Sequence, residues 1–170
     1  MKESSISNSI RLSGISEDSI VDGPGLRLTL FTQGCPFHCK GCHNEETWDP
    51  DGGTLHSFES LQDRWRENPL LDGITFSGGE PTMQMDAVLA LSKLIKDDGL
   101  NIVLYTGSTY EALEDADPIL FHELLSLVDY IIDGPFVLEK RSLSLPFRGS
   151  TNQRIIDVQA TRKKREIVLL

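Results

Sequence analysis

Four short apolar segments, each followed by a polar or glycine-rich cluster, limit most strongly how this 170-residue chain can fold. They are residues 26–31, 73–76, 101–105 and 128–132. Segments with the spacing of amphipathic helices lie between them, at 58–67, 83–96 and 110–127, the last broken by Pro118. Strands that alternate with helices predict βαβ units and a parallel sheet, and a further short strand is expected at 154–158.

The positions of the polar clusters predict where a functional site would lie. Each cluster follows the end of a predicted strand, and the clusters are 33–35, 77–81, 106–108 and 133–135. Parallel α/β sheets and barrels place their active sites at the carboxyl ends of their strands. The chain is shorter than the about 250 residues of a typical eight-unit barrel. We therefore predict an α/β fold with a partial, open (β/α) barrel.

We expect one domain over residues 1–170, with a polar N-terminal segment at 1–20 and a C-terminal tail at 159–170. The Ser-rich start lacks an apolar signal core, and no run of about 18 apolar residues occurs, so we expect a cytoplasmic protein without a membrane span. The net charge of −10 argues against a nucleic-acid partner, because phosphate binding needs clustered Lys and Arg. The basic run 162–165 is interpreted as a solvated tail or as a docking patch.

All three cysteines, Cys35, Cys39 and Cys42, lie close together in a C-x3-C-x2-C pattern. Such clustering indicates metal or redox chemistry rather than a structural disulfide. A four-iron cluster on three cysteines keeps one iron without a protein ligand, and an open coordination position is typical of a catalytic metal site. The alternative is a Cys3His zinc site in which His38 or His43 is the fourth ligand.

The cysteine segment, followed after a strand and a helix by Gly78-Gly79-Glu80-Pro81, resembles the radical S-adenosylmethionine superfamily. Within it, the chain is similar to the glycyl-radical-enzyme activases, in particular those that act on anaerobic ribonucleoside-triphosphate reductase. The segments that carry this similarity are VDGPGLR (21–27), QGCP (33–36), CHN (42–44), YTG (105–107), DGPF (133–136) and RGSTNQR (148–154).

The resemblance implies an enzyme with a [4Fe-4S] cluster on the three cysteines, whose open iron binds the amino and carboxylate groups of S-adenosylmethionine (SAM). Electron transfer into SAM would release methionine and a deoxyadenosyl radical, and that radical would remove a hydrogen atom from a glycine of the reductase. An electron donor such as flavodoxin or ferredoxin is also implied. The protein's task would be to position the reactants and exclude quenching.

Residues 77–81 are expected to bind the amino group of SAM. Backbone carbonyls of Ser77, Gly78 and Gly79 can approach closely because glycine has no side chain, and Glu80 can add a charge-assisted hydrogen bond. A plain strand-to-helix turn is the alternative interpretation of the two glycines.

The remaining candidates for SAM binding are spread over four segments of the chain. Thr106 and Asp133 stand at predicted strand ends, and Arg148 is a candidate for the carboxylate on charge alone. Gly41 stands where many superfamily members carry an aromatic residue of the adenine pocket, so His43, Phe37 or the backbone would take that role. Three rival functions remain open: an activase of another glycyl-radical enzyme such as formate C-acetyltransferase, a small-molecule radical enzyme, and a zinc-stabilised interaction module.

Overall fold

The computed structural model describes residues 7–170, which form a seven-stranded sheet and five α-helices. The strands are β1 (Ser9–Ser19), β2 (Arg27–Thr32), β3 (Thr54–Ser57), β4 (Gly73–Gly78), β5 (Asn101–Tyr105), β6 (Tyr130–Asp133) and β7 (Arg154–Asp157). The helices are α1 (Phe58–Arg66), α2 (Met85–Asp97), α3 (Tyr110–Ala116), α4 (Pro118–Leu127) and α5 (Val158–Lys164). The strands lie in the order β3-β1-β2-β4-β5-β6-β7.

The four central strands, β2, β4, β5 and β6, are parallel. Strand β1 is antiparallel to both β2 and β3, and β7 is antiparallel to β6. The sheet is open, with β3 and β7 at its edges. The predicted α/β class and the parallel βαβ units are thus confirmed, in a mixed sheet.

Side-chain caps define where most helices begin. Ser57, Thr109, Asp117 and Asp157 each accept a hydrogen bond from a backbone N–H in the first turn of α1, α3, α4 and α5, respectively. Pro118 occupies the first position of α4, where its missing N–H costs nothing. The predicted break at this proline therefore separates two helices.

The helices cover one face of the sheet. Alternate strand residues, such as Leu28, Ile74 and Leu104, join helix residues such as Leu91 and Phe121 in one apolar core, because successive strand side chains point to opposite faces. The other face carries a smaller cluster formed by Val103, Ile132 and Ile155 and packed against Tyr105, Tyr130 and Phe147.

Strands β1 and β3 and helix α5 were not predicted. Strand β1 occupies most of the segment expected only to be polar, and residues 1–6 of that segment lie outside the described residues. Helix α5 lies largely in the predicted C-terminal tail and carries most of the basic run, so the run is exposed to solvent but is not a tail. Within residues 7–170, no helix combines the length and the apolar composition that a bilayer crossing requires.

Candidate active site

The carboxyl ends of the four parallel strands meet at one edge of the sheet, and an open cavity of about 230 Å³ lies there. Most of the residues predicted for the site line it: Cys35, Cys39, Cys42, His43, Ser77, Gly78, Gly79 and Thr106. Three do not line it, and these are Glu80, Asp133 and Arg148. The structure therefore brings the cysteine loop and the glycine pair together around one space.

The loop that carries the cysteines is held at its base by the segment that follows it. The N–H of Gly34 donates to the carbonyl oxygen of Thr47 at 2.6 Å, and the N–H of Cys35 donates to that of Trp48 at 3.3 Å. The buried amide of Gln33 donates to two further carbonyl oxygens of the same segment. These bonds fix the loop above the strand ends.

All three cysteines are free thiols of intermediate exposure. Burial raises the pKa of the Cys35 thiol. The sulfur of Cys42 accepts a hydrogen bond from the N–H of Asn44 at 3.4 Å. Within residues 7–170, no three Cys, His, Asp or Glu side chains are gathered closely enough to hold a single metal ion. A metal-binding role for these cysteines therefore rests on their shared cavity and on the sequence relatives described below.

The two histidines considered as zinc ligands lie in different surroundings. The ring of His38 stacks on that of Trp48, with 4.4 Å between centroids, and does not line the cavity. His43 lines the cavity, and its ring centroid lies 5.8 Å from that of Phe136. Of the two, only His43 is placed to contact a molecule bound in the cavity.

The Gly78-Gly79 pair lets the end of β4 approach the end of β2. The N–H of Gly79 donates to the carbonyl oxygen of Thr32 at 2.9 Å, and the N–H of Glu80 donates to that of Gly34 at 2.8 Å. Gly78 has φ of 95°, and a Cβ there would lie 2.6 Å from the backbone nitrogen of Thr32. The pair therefore forms a tight turn and also lines the cavity with bare backbone.

A side chain at Gly41 would have a strained backbone and would have to displace the side chain of Leu138. The φ of Gly41 is 77°, and a Cβ would lie 2.8 Å from a methyl group of Leu138. The aromatic side chains on the cavity wall come instead from other positions, among them Phe37, His43 and Phe136. These three, together with Tyr105, are the aromatic surfaces on the cavity wall that could stack on a bound ring.

Glu80 is only 1% exposed and lies just behind the cavity lining. Its Oε1 accepts hydrogen bonds from Oγ1 of Thr106 at 2.5 Å and from the N–H of Gly107 at 3.1 Å. Within residues 7–170, no Lys, Arg or His forms an ion pair with it. Burial therefore raises the pKa of Glu80 to about 7, which makes this carboxylate receptive to a positively charged or N–H donor group.

Asp133, also 1% exposed, is engaged in a network away from the cavity lining. Its carboxylate accepts from the N–H of Tyr110, the first residue of α3, at 2.8 Å and from Nε of Arg154 at 3.0 Å. Arg154 also pairs with the exposed Glu111 at 2.8 Å. The structure thus gives Asp133 a role in joining β6, β7 and α3.

Arg148 lies in a neighbouring groove, although its segment reaches the cavity. Its Nη1 donates to the carbonyl oxygen of Gln153 at 3.0 Å. Gln153 accepts from the N–H of Gly149 at 2.9 Å and donates to the carbonyl oxygen of Gly134 at 3.1 Å. Gly149 and Gln153 line the cavity, so part of the polar segment 148–154 reaches it.

Sequence reasoning missed Tyr105, Phe136 and Gln153 as cavity residues. Tyr105 ends β5, and Phe136 follows the cluster after β6, so their nearness to strand ends was an available signal. Gln153 belonged to a polar segment already singled out, but its fold-back onto Gly134 depends on contacts distant in sequence.

Comparison with known proteins adds to this geometry. A family model described as a 4Fe-4S single cluster domain matches residues 21–156. The anaerobic ribonucleoside-triphosphate reductase-activating protein of Vibrio cholerae is 35% identical over 144 residues, which is 80% of this chain and 90% of that protein. The protein of the same name from Escherichia coli K12 is 34% identical over 144 residues, covering 79% and 90%. The pyruvate formate-lyase-activating enzyme of Clostridium pasteurianum is 38% identical over 125 residues, covering 70% of this chain but 51% of that enzyme.

Proposed function

The chain belongs to the family of anaerobic ribonucleoside-triphosphate reductase-activating proteins and contains a 4Fe-4S single cluster domain, and we propose that it generates a glycyl radical on that reductase. The observation that carries the proposal is the cavity in which three thiols face the carboxyl ends of parallel strands. SAM is the proposed co-substrate. Flavodoxin or ferredoxin is the proposed electron donor.

We assign a four-iron cluster to Cys35, Cys39 and Cys42. Thiolates are the usual ligands of such clusters, and the chain has no fourth cysteine, which leaves one coordination position for SAM. When bound and reduced, the cluster would supply the electron that cleaves SAM. The stacking of His38 on Trp48 supports iron–sulfur over a Cys3His zinc site that uses His38.

The chain's own residues would bind and orient SAM. We propose that backbone carbonyls of residues 77–79 accept from its amino group, and that the carboxylate of Glu80, held by Thr106, adds a charge-assisted hydrogen bond. His43 would contact the adenine ring. The bare glycine backbone at this edge supports the proposal because it permits close approach of a ligand.

Asp133 and Arg148 enter this proposal as positioning residues. Asp133 would hold the end of β6 through Arg154 and α3, and Arg148 would hold the polar segment that carries Gln153 to the cavity. As positioning residues, neither Asp133 nor Arg148 needs to contact SAM through its charged group.

We further propose that the open sheet is the partial (β/α) barrel of the radical SAM type and that residues 1–170 form a single domain. The four parallel strands, with their helices on one face, support this architecture. A cytoplasmic location is proposed on the grounds given for the sequence. No nucleic-acid or membrane partner is part of the proposal.

The decisive experiment is radical transfer to the reductase. Reconstituted, reduced protein with SAM should produce a doublet electron paramagnetic resonance (EPR) signal of a glycyl radical on anaerobic ribonucleoside-triphosphate reductase. Reactions that lack SAM, or in which the reductase glycine is replaced by alanine, serve as controls and should show no doublet. If SAM is cleaved and the doublet never forms on the reductase, the proposed partner is wrong.

The similarity to a pyruvate formate-lyase-activating enzyme favours one second candidate, the activase of another glycyl-radical enzyme. The same assay with formate C-acetyltransferase in place of the reductase separates the two. A doublet on that enzyme alone would move the assignment to it.

Replacement of Glu80 by glutamine should keep the cluster and weaken SAM binding by roughly 1.5–3 kcal/mol, the usual value of a hydrogen bond to a charged group. This corresponds to a roughly 10- to 150-fold higher Kd. Because the pKa of Glu80 is about 7, ionisation of its carboxylate should raise the wild-type affinity as the pH increases to about 7, and this contribution should then level off. The variant should lack the contribution of Glu80 to the pH dependence.

Titration of the cluster's EPR signal with SAM between pH 5.5 and 8.5 (roughly 1.5 pH units either side of that pKa) measures both effects. Glu114→Gln removes a half-exposed carboxylate of α3 and is the matched control, expected to bind SAM as the wild type does. Equal affinity and equal pH dependence in Glu80→Gln and wild type would show that Glu80 does not contact SAM.

A further inference from the structure

The side-chain amide of Gln84 joins three segments that are distant in sequence. Its Oε1 accepts from the N–H of Arg11 at 2.9 Å, and its Nε2 donates to the carbonyl oxygens of Arg11 at 2.8 Å and of Gln33 at 3.1 Å. Gln84 itself ends the short 3-10 helix Pro81–Gln84, which leads from the glycine pair into α2. The amide therefore ties the end of this turn to β1 and to the start of the loop that carries the cysteines.

The chemistry of the amide matches the backbone groups that it meets. Strand β2 pairs with β1 only as far as Thr32, which lies opposite Leu12, and then ends. Two strand residues that form a hydrogen-bonded pair exchange two N–H···O bonds. A carboxamide can both donate and accept from one planar group. The amide of Gln84 thus binds both the N–H and the C=O of Arg11, as a residue of a neighbouring strand would.

Gln33 connects this joint to both ends of the cysteine loop. Its N–H donates to the same carbonyl oxygen of Arg11 at 3.0 Å. Its own Nε2 donates to the carbonyl oxygens of Glu46 at 2.9 Å and Asp49 at 2.7 Å, in the segment that follows the cysteines. Gln33 is only 3% exposed, so water competes little for these bonds. Both ends of the loop are therefore anchored where Gln84 binds.

Gln84 also completes the attachment of the glycine turn to the cysteine loop. The N–H groups of Gly79 and Glu80 hold the beginning of this turn against the carbonyl oxygens of Thr32 and Gly34. Gln84 holds the end of the turn, four residues after Glu80. Attachments at two separate points fix the orientation of the turn as well as its distance from the loop.

We propose that Gln84 is a positioning residue that sets where the three cysteines lie relative to the backbone of residues 77–79. The proposal rests on the proposed function, because it takes these two groups as the two halves of one reaction site. All three cysteines lie on a single loop, so a cluster can assemble without Gln84. Cleavage of SAM, in contrast, requires the loop and the turn to be in the correct relative position.

The test compares Gln84→Leu with the wild-type holoprotein. The variant should contain as much iron and sulfide as the wild type and should give the same EPR spectrum of the reduced cluster without SAM. The change that SAM causes in this spectrum should differ from that in the wild type. The rate of SAM cleavage at saturating SAM should fall about 10- to 100-fold, since a misplacement of about 1 Å can cost about 100-fold.

Gln159→Leu is the matched control, because it also removes an amide whose Nε2 donates to two backbone carbonyl oxygens. These are the carbonyl oxygens of Leu125 at 3.3 Å and of Val128 at 3.1 Å. Gln159 lies on α5 and does not line the cysteine cavity. This variant should therefore keep the wild-type response of the EPR spectrum to SAM and the wild-type rate of cleavage.

Amide hydrogen exchange of the cluster-free protein tests the joint without the reaction. Exchange at the N–H of Arg11 should be about tenfold faster in Gln84→Leu, because this N–H loses its acceptor, and unchanged in Gln159→Leu. Gln84→Glu keeps an acceptor but loses both donor bonds, so it should also show the altered response to SAM. It replaces Gln84→Leu if the apolar variant does not fold.

The outcomes separate this proposal from the one on which it rests. If the wild type cleaves SAM, and Gln84→Leu and Gln84→Glu match it in spectrum and rate, the positioning role is overturned and the function stands. Equal losses in the Gln84 and Gln159 variants would show a general loss of stability and would also overturn the role. A wild type that cleaves SAM without producing a doublet on the reductase overturns the proposed partner alone. A wild type that never cleaves SAM overturns both proposals.

Discussion

Replacing any one of Cys35, Cys39 and Cys42 with alanine will abolish assembly of a stable four-iron cluster, and with it radical formation on the reductase. Each thiol lines the same cavity, and the chain has no other cysteine that could substitute for a lost ligand. A cluster left with two protein ligands would be labile. Iron and sulfide content after anaerobic reconstitution, together with the EPR spectrum of the reduced protein, measures the loss.

His38→Ala is the control that distinguishes an iron–sulfur cluster from a Cys3His zinc site. Its ring stacks on Trp48 and does not line the cavity, so this variant should take up iron and sulfide as the wild type does. A zinc site that used His38 would instead be weakened as severely as by a cysteine replacement. Tight binding of one zinc per chain, with no iron uptake under reconstitution, would contradict the iron–sulfur assignment.

Asp133→Ala should lower the free energy of unfolding by about 3 kcal/mol, the lower end of the cost of breaking a buried ion pair. The lower end applies because the side chain of Arg154 is 29% exposed and keeps Glu111 as a second partner. The substitution also removes the acceptor for the N–H of Tyr110 at the start of α3. Denaturant unfolding of the cluster-free protein measures the change.

Glu111→Ala removes the exposed partner of the same arginine and should cost less than about 1 kcal/mol, as surface ion pairs do. The difference in the free energy of unfolding between the two variants measures what the buried Asp133 contributes beyond the exposed ion pair. If Asp133→Ala were as stable as the wild type and yet bound SAM far more weakly, Asp133 would be a direct ligand of SAM rather than a positioning residue.

Most of the strands that the sequence predicted are buried along more than half of their length. Strands β2 and β4 have continuous buried runs and therefore appear as unbroken apolar segments. Strand β1 buries Ile10 and Leu12 but is otherwise largely polar, and it exists because it pairs with both β2 and β3. Pairing between distant segments cannot be deduced from local composition.

The same division applies to the site. The cysteine spacing and the polar clusters at strand ends located the cavity, because parallel strands bring their carboxyl ends to one edge. The hydrogen-bond and ion-pair partners of the buried carboxylates could not be predicted in this way. Thr106 is 26 residues from Glu80, and Arg154 is 21 residues from Asp133, so each carboxylate's partners are decided by tertiary packing.

The two outer edges of the sheet have a consequence for how this chain can associate with others. One edge is the four-residue β3, and the other, β7, is partly covered because Ile156 bridges to Leu169 and the N–H of Leu170 donates to the carbonyl oxygen of Ile155 at 2.9 Å. Short or covered edges resist the addition of a strand from another molecule. Strand addition at β3 or β7 is therefore disfavoured, and the free length of edge among the described strands is the part of β1 beyond β3, residues 13–19, which pairs only with β2.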